Sequence, residues 1–312
     1  MKKDIQQLFN EFIWECEFVK RLRPDTLQSY RQAFSTFAKL TPGVSLESLT
    51  PNMITTFFKT LQERKRIVGR GTVKIGVKTS TVGAYWRKLT CFFQWLELRN
   101  YISVNPFKVL TYPTPAYEDA KYLKKREIEK IITAIHASQG NSILVFKRNL
   151  VLFYLLLYCG LRKEEVMLLQ IPDIDFERRL LTIRKESSKS GKTRQLPLHS
   201  TTLMHLKDYL KQRNEYTTPY LIVSKGTDDK LSYAGLKHLV DSIRKRSGVQ
   251  FHLHQFRHTF AVNFLKTTNN IGHLRQLMGH KDIRMTMVYL RCINVDEIRG
   301  EIELMNIDNF LK

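Results

Sequence analysis

The longest apolar run in the chain, Leu150 to Leu161, is 12 residues long and stops at Arg162. A membrane-spanning helix needs roughly 18 or more such residues, so this segment belongs in a protein core. At 312 residues the chain has room for two domains of about 150 residues each. Hydrophobic residues make up 43% and aromatic residues 11%, enough to build real cores and to exclude wholesale disorder. With 14 Gly and 9 Pro, a collagen-like or low-complexity chain is excluded as well. No charged start followed by an apolar stretch and a small-residue cleavage site opens the sequence, so nothing suggests secretion. The four cysteines, Cys16, Cys91, Cys159 and Cys292, form no CxxC pair. That argues against a disulfide framework and a thiolate zinc site, and it fits small buried hydrophobes in a reducing cytoplasm.

Charge narrows the class. The chain carries 51 Lys+Arg against 29 Asp+Glu, a formal net charge of +22. Residues 1–112 hold 18 cationic and 8 acidic side chains, and the remaining 200 residues hold 33 and 21. The surplus, +10 and +12, is therefore no basic tail but a property of both halves. Two independently basic domains point to a long polyanion gripped from two sides. No basic helix with a clean Trp/Leu face stands out, so a membrane partner is not expected.

The first 110 residues read as helices. Ile5, Leu8, Phe12 and the residues to Phe18 give one apolar face. Leu27, Tyr30, Phe34 and Phe37 give a second after Pro24-Asp25-Thr26, and Ile54, Phe57, Phe58 and Leu61 a third after Thr50-Pro51. Val82, Trp86, Leu89, Phe93 and Leu96 mark a fourth. Between the last two lies a Gly-rich stretch holding Arg64, Lys65, Arg66, Arg70, Lys74 and Lys78, which is either a solvated loop or hairpin or a phosphate-contacting arm. Arg87 and Lys88 extend the same basic character onto the fourth helix. The simplest outcome is a four-helix bundle with a basic face. Val109 to Tyr122, with Pro113 and Pro115, reads as the linker, dividing the chain into residues 1–112 and 113–312. Beyond it, helices are predicted near 123–137, up to Cys159-Gly160, and near 201–213, 233–246, 254–267, 271–278, 283–290 and 294–305. Short strands are predicted at Leu180 to Arg184 and Gln195 to Leu198. The fold class is mainly α, with a four-helix N-terminal domain and a mixed α+β C-terminal domain holding a small antiparallel sheet.

Several motifs fail on inspection. Gly191-Lys192-Thr193 resembles the end of a P-loop, but Glu186 stands where the motif needs its first Gly, and a strand rather than a helix follows. His254 and His258 have a spacing suited to zinc, but Gln255 replaces the partner Glu and no third ligand is evident. Gly69 and Gly71 make no dinucleotide fingerprint, and no run of carboxylates suggests a two-metal nuclease.

One constellation holds together. Gly160-Leu161-Arg162 with Glu165 follows the apolar helix. Lys189 then lies in Lys-Ser-Gly-Lys-Thr-Arg, followed by His254-Gln255-Phe256-Arg257-His258, Gly279-His280 and, nine residues on, Tyr289. Taken alone, each of these is a cap, a surface cation or a packing residue. In this order and spacing the sequence resembles the tyrosine site-specific recombinases of the phage integrase family, over the whole chain. Phe256 and Met278 replace the family's usual leucines, both apolar exchanges.

The resemblance implies a core-binding domain followed by a catalytic domain, with Arg162, Lys189, His254, Arg257, His280 and Tyr289 catalytic and Glu165 supporting. Lys189 and Lys192 compete for the catalytic lysine, and counting back from Pro197 favours Lys189. Lys192 and Arg194 would then contact DNA backbone from the hairpin, while His258 and His273 stay structural. The residue types suit the reaction. Two guanidiniums can hold the non-bridging oxygens of a phosphodiester bidentately, and a phenolate is both nucleophile and leaving group, so the covalent link can be reversed. Lys189 would protonate the departing 5′-hydroxyl, His254 would act as base, and His280 would donate to the phosphate. No cofactor, metal or ATP is implied.

The family further implies double-stranded DNA as partner, a homotetramer on paired sites, and a C-terminal segment, Asn294 to Lys312, exchanged between protomers. A partner recombinase or activator is compatible with it. A bundle that starts at residue 1 leaves no room for an extra arm-binding domain, which favours a simple Xer-like or small mobile-element recombinase.

Overall fold

The computed structural model describes residues 4–69, 71–113, 120–138, 142–188 and 191–293. The chain divides into two compact units, Met1–Glu118 and Asp119–Lys312.

In the first unit, α1 (Ile5–Trp14) begins with a reciprocal cap: Gln7 N–H donates to Asp4 Oδ1 at 2.7 Å, and Asp4 N–H to Gln7 Oε1 at 3.1 Å. Helix α2 (Pro24–Leu40) and helix α3 (Pro51–Glu63) each start on the predicted proline, whose missing N–H costs nothing there. Helix α4 (Thr79–Leu98) completes the bundle. Its core is aromatic. Phe9 stacks on Phe34 with ring centroids 3.9 Å apart, and both meet Phe92 edge-on at 5.2 and 5.5 Å. The first helix departs from expectation at its end. Glu15–Val19 form a π turn, the wider winding shifts the apolar face, and Phe18 emerges 72% exposed. The Gly-rich stretch is a hairpin, β1 (Lys65–Val68) against β2 (Thr72–Ile75), antiparallel with Ile67 opposite Val73.

The second unit is built around the predicted apolar segment. Helix α5 (Lys125–His136) precedes α6 (Ile143–Cys159), which is capped by Ser142 and buried along most of its length. A short α7 (Lys163–Met167) leads to a three-stranded antiparallel sheet. Its strands are β3 (Ile174–Asp175), β4 (Leu180–Ile183) and β5 (Arg194–Pro197). Leu181 pairs with Leu196 and Ile183 with Arg194. Strand β3, absent from the predicted elements, is too short to leave a period in the sequence. Then come α8 (Ser200–Gln212), α9 (Tyr233–Ser247), α10 (Leu253–Thr268) and α11 (Ile271–Met278). The helix predicted over 283–290 is shorter, α12 (Arg284–Met287), followed by a 3-10 turn at Leu290–Cys292. The helix predicted at 294–305 lies outside the described residues. Among the described residues no helix is long and apolar enough to cross a membrane.

Candidate active site

The polar centre of the second unit starts where α6 stops. Gly160 takes the left-handed conformation at φ +58°, and a Cβ there would lie 2.4 Å from Cδ1 of Phe260. Glycine alone fits both demands. The turn sends Leu161 into the core and leaves Arg162 at the N-terminus of α7. Glu165, one turn on and fully buried, accepts from Arg162 twice, from its backbone N–H and from Nη1, both at 2.9 Å.

Arg194 is the counterpart on β5. Its Nη1 and Nη2 donate to the two oxygens of Glu165 at 2.9 and 2.8 Å, and its Nε to the Leu277 carbonyl at 2.9 Å. This corrects the expectation that Arg194 contacts DNA: every guanidinium nitrogen is engaged inside the protein and, unlike Arg162 and Arg257, the residue does not line the cleft that holds Tyr289. The cause is Glu165, because a carboxylate removed from water must be matched by a counter-charge. Burial pushes the Glu165 carboxyl up, but the hydrogen bonds and charges of Arg194 and Arg162 outweigh it and hold it at about 2. Gly279 makes room, since a Cβ on it would sit 3.1 Å from Cδ of Arg194.

Helix α10 supplies three residues on one turn. Arg257 is 1% exposed, with Nη1 donating to the Gly160 carbonyl and Nη2 to the Met278 carbonyl, both at 2.6 Å. Burial pulls its guanidinium down to about 9, with the neighbouring Arg162 adding to the effect. Through the two carbonyls Arg257 ties α10 to the Gly160-Leu161-Arg162 turn and to the Gly279-His280 turn. Nη2 also lies 3.2 Å from Nε2 of His280, whose Nδ1 lies 2.9 Å from Oγ1 of the buried Thr286. A guanidinium only donates, so Nε2 accepts there and Nδ1 carries the ring proton toward Thr286. Burial, with Arg257 close by, holds the His280 imidazole down at about 4. Donation from His280 to a phosphate therefore calls for a proton on Nε2, which the negative charge of a phosphate favours.

Tyr289, just past α12, is 3% exposed and packs with Ala261, Val262, Leu265, Leu274 and Met278. Burial pushes its phenol up, opposed by Arg257 and Arg162. Its hydroxyl lies 3.0 Å from Nδ1 of His258, a residue the sequence marked only as structural. His254 is exposed one turn earlier on the same helix, its ring 4.4 Å from that of His258. Arg162, His254, Arg257, His258, His280 and Tyr289 line one cleft of about 450 Å³. A neighbouring cleft of about 690 Å³ shares Arg162 and His254 and adds Lys163, Lys237 and Arg244.

Of the predicted site residues, Lys189 and Arg70 lie outside the described residues. Lys192 is exposed. In the N-terminal unit Lys65, Lys74, Lys78 and Arg87 are exposed, and Arg64, Arg66 and Lys88 half-buried. Arg66 Nε donates to the Gly76 carbonyl at 2.7 Å, and Arg87 Nη1 to the Tyr112 hydroxyl. Burial and the adjacent Arg87 lower the Lys88 ammonium. Among the described residues no cluster of His, Cys, Asp or Glu could hold a metal ion.

The family model described as the phage integrase family matches residues 121–294, more than half of the chain. The tyrosine recombinase XerA of Pyrococcus horikoshii is 33% identical over 186 residues, 59% of this chain and 60% of that protein. The chain thus spans about 60% of the length of this archaeal relative. The tyrosine recombinase XerC of Oceanobacillus iheyensis is 24% identical over 310 residues, 95% of this chain and 94% of its own. Among solved structures, the Tn1549 transposon integrase in complex with circular intermediate DNA matches with a TM-score of 0.76 at 18% identity, covering 96% of this chain and 99% of that one. At that identity the likeness speaks for the fold.

Proposed function

Because the chain belongs to the phage integrase family, we propose that it is a site-specific DNA recombinase that cuts and rejoins strands through a covalent 3′-phosphotyrosyl intermediate and a four-way junction. One observation carries this reading: the Tyr289 hydroxyl shares a cleft with two guanidiniums that are locked in place before any substrate arrives. A phosphodiester attacked in line gains negative charge on its non-bridging oxygens, and donors already oriented toward that charge stabilise the transition state without reorganising. Arg162 and Arg257 would bind those oxygens and His280 would donate to one of them. As Tyr289 Oη bonds to phosphorus, the bond to the 5′-oxygen breaks and that oxygen takes a proton from Lys189. His254 serves as base in the exchange, taking the proton of the Tyr289 hydroxyl on cleavage or of the 5′-hydroxyl that attacks the phosphotyrosine on rejoining. The ester keeps the cleaved bond's free energy, so religation needs no nucleotide.

Duplex DNA would meet both basic units, with the cleft around Lys163, Lys237 and Arg244 carrying backbone away from the reacting phosphate. Residues 1–112 would serve core binding and residues 113–312 catalysis. Two duplex sites held by a tetramer, with residues 294–312 exchanged between neighbours, complete the reading. The physiological task is then resolution of joined chromosomes or integration and excision of a mobile element, in the cytoplasm.

A duplex carrying the target site, first located by footprinting, and a nick beside the scissile phosphate tests this. Wild type should accumulate a covalent adduct and convert two sites into a four-way junction, while Tyr289→Phe binds but forms no adduct. Relaxation of any supercoiled DNA without junctions would instead indicate a topoisomerase using the same chemistry.

A further inference from the structure

His258 lies within hydrogen-bond distance of the reacting atom, a contact that the sequence does not reveal. It follows Arg257 directly and sits one turn beyond His254 on α10, so all three point into one cleft. Nδ1 lies 3.0 Å from Oη of Tyr289, within hydrogen-bond reach, with the two rings 5.5 Å apart and inclined at 54°. The tyrosine ring is clamped in the apolar cluster around Leu265 and Met278, so its hydroxyl has little freedom to leave this partner.

We propose that His258 accepts the hydrogen bond of the Tyr289 hydroxyl and takes its proton as the tyrosine attacks. The inference rests on the recombinase reading of the same cleft and moves the first proton transfer from His254 to His258. In the forward step the Oη–H bond breaks, its electron pair forms the new bond to phosphorus, and the proton moves to Nδ1. The bond from phosphorus to the 5′-oxygen breaks, and that oxygen is protonated by Lys189. On reversal the imidazolium returns its proton to Oη as the phosphotyrosyl bond breaks. His254, exposed one turn earlier on the same helix and lining the same cleft, then serves the 5′-hydroxyl.

Electrostatics agree with the geometry. Burial, aided by His254 and Arg257, holds the His258 imidazole down at about 4, so in the free protein it is neutral and keeps a lone pair for the phenol. The groups facing it are His254 and Arg257 from its own helix and Tyr289 from beyond α12, with Arg162 and His280 in the same cleft. A bound phosphate adds negative charge to this set and raises the basicity of the ring when it is needed.

Three variants give the test. His258→Ala should form the covalent adduct about 100-fold more slowly or worse, with DNA affinity unchanged, the range typical for loss of a general base. His258→Asn, whose amide oxygen can accept the hydrogen bond but takes up no proton, should remain slow. Replacing Tyr289 by a fluorinated tyrosine that ionises near neutral pH should rescue His258→Ala, because the phenolate then needs no base. A normal rate in the Ala variant, restoration by Asn, or failure of the rescue would overturn the proposal. A DNA-free measurement separates it from failure of the recombinase reading. The ¹⁹F titration midpoint of the residue 289 phenol should fall in His258→Ala, since an acceptor that favours the protonated form is removed. A rise or no change would contradict it even if wild type cut no DNA at all.

Discussion

The cations of the N-terminal hairpin and those of the C-terminal centre come from halves of nearly equal net charge, +10 and +12, yet live under opposite conditions. Lys65, Lys74 and Lys78 stand in water around a hairpin whose Ile67 and Val73 are themselves 78% and 60% exposed. Arg162, Arg194 and Arg257 are turned inward, tied to Glu165 or to backbone carbonyls. Exposed charge is screened over about 10 Å at ordinary ionic strength and can be exchanged position by position. Buried charge is paired, oriented and intolerant of change. Net charge thus identifies the class of partner, while burial and pairing separate the groups that attract it from those that act on it.

Deleting a buried partner should break this contrast hardest. Glu165→Ala leaves the guanidinium of Arg194 without its carboxylate inside the protein and should cost about 3–5 kcal/mol, measurable as a drop in the urea midpoint of the C-terminal unit. Titrating the same group should do less, because a neutral acid still hydrogen-bonds. Glu165 is held at about 2 against an ordinary 4.5, so as pH falls the unfolded chain takes up its proton first and stability is lost between about pH 4.5 and 2. His258 and His280, held near 4 against 6.5, lose stability by the same sign one window higher, from about pH 6.5 to 4. Urea midpoints followed from pH 7 to 3 should show the upper loss first, and His280→Asn should reduce it. Gly160→Ala should cost about 2 kcal/mol from the left-handed backbone, plus whatever moving Phe260 adds, read from the same midpoints. The smallest effect should come from the hairpin. Lys74→Ala should leave stability within about 0.5 kcal/mol and lower the salt slope of DNA binding by about one.

The same contrast explains what could be read without coordinates. Periodicity and start signals place the starts of α2 and α3, the end of α6 and both ends of α11 to within a residue or two, because a buried helical face imprints its spacing on the chain. The hairpin left the choice between loop and hairpin open because neither of its faces is buried, so no alternation records it. Arg194 pairs with a carboxylate 29 residues away and His258 meets a hydroxyl 31 residues away. Neither contact follows a local period. Glu165 gives no clue either, because its burial and its second guanidinium partner appear only once the chain is folded. Lys189, on which the general-acid assignment depends, lies outside the described residues. Replacing the 5′-oxygen by sulfur, a leaving group that needs no proton, should rescue Lys189→Ala; rescue of Lys192→Ala instead would move the role.

The central claim is that the pre-set guanidiniums serve a nucleophile at Tyr289. Peptide mapping of the covalent adduct trapped on a nicked duplex tests it most directly. The account predicts a single nucleotide-bearing peptide containing Tyr289, linked through a 3′-phosphate and lost in Tyr289→Phe. An adduct on any other residue, or one that survives that substitution, would contradict it.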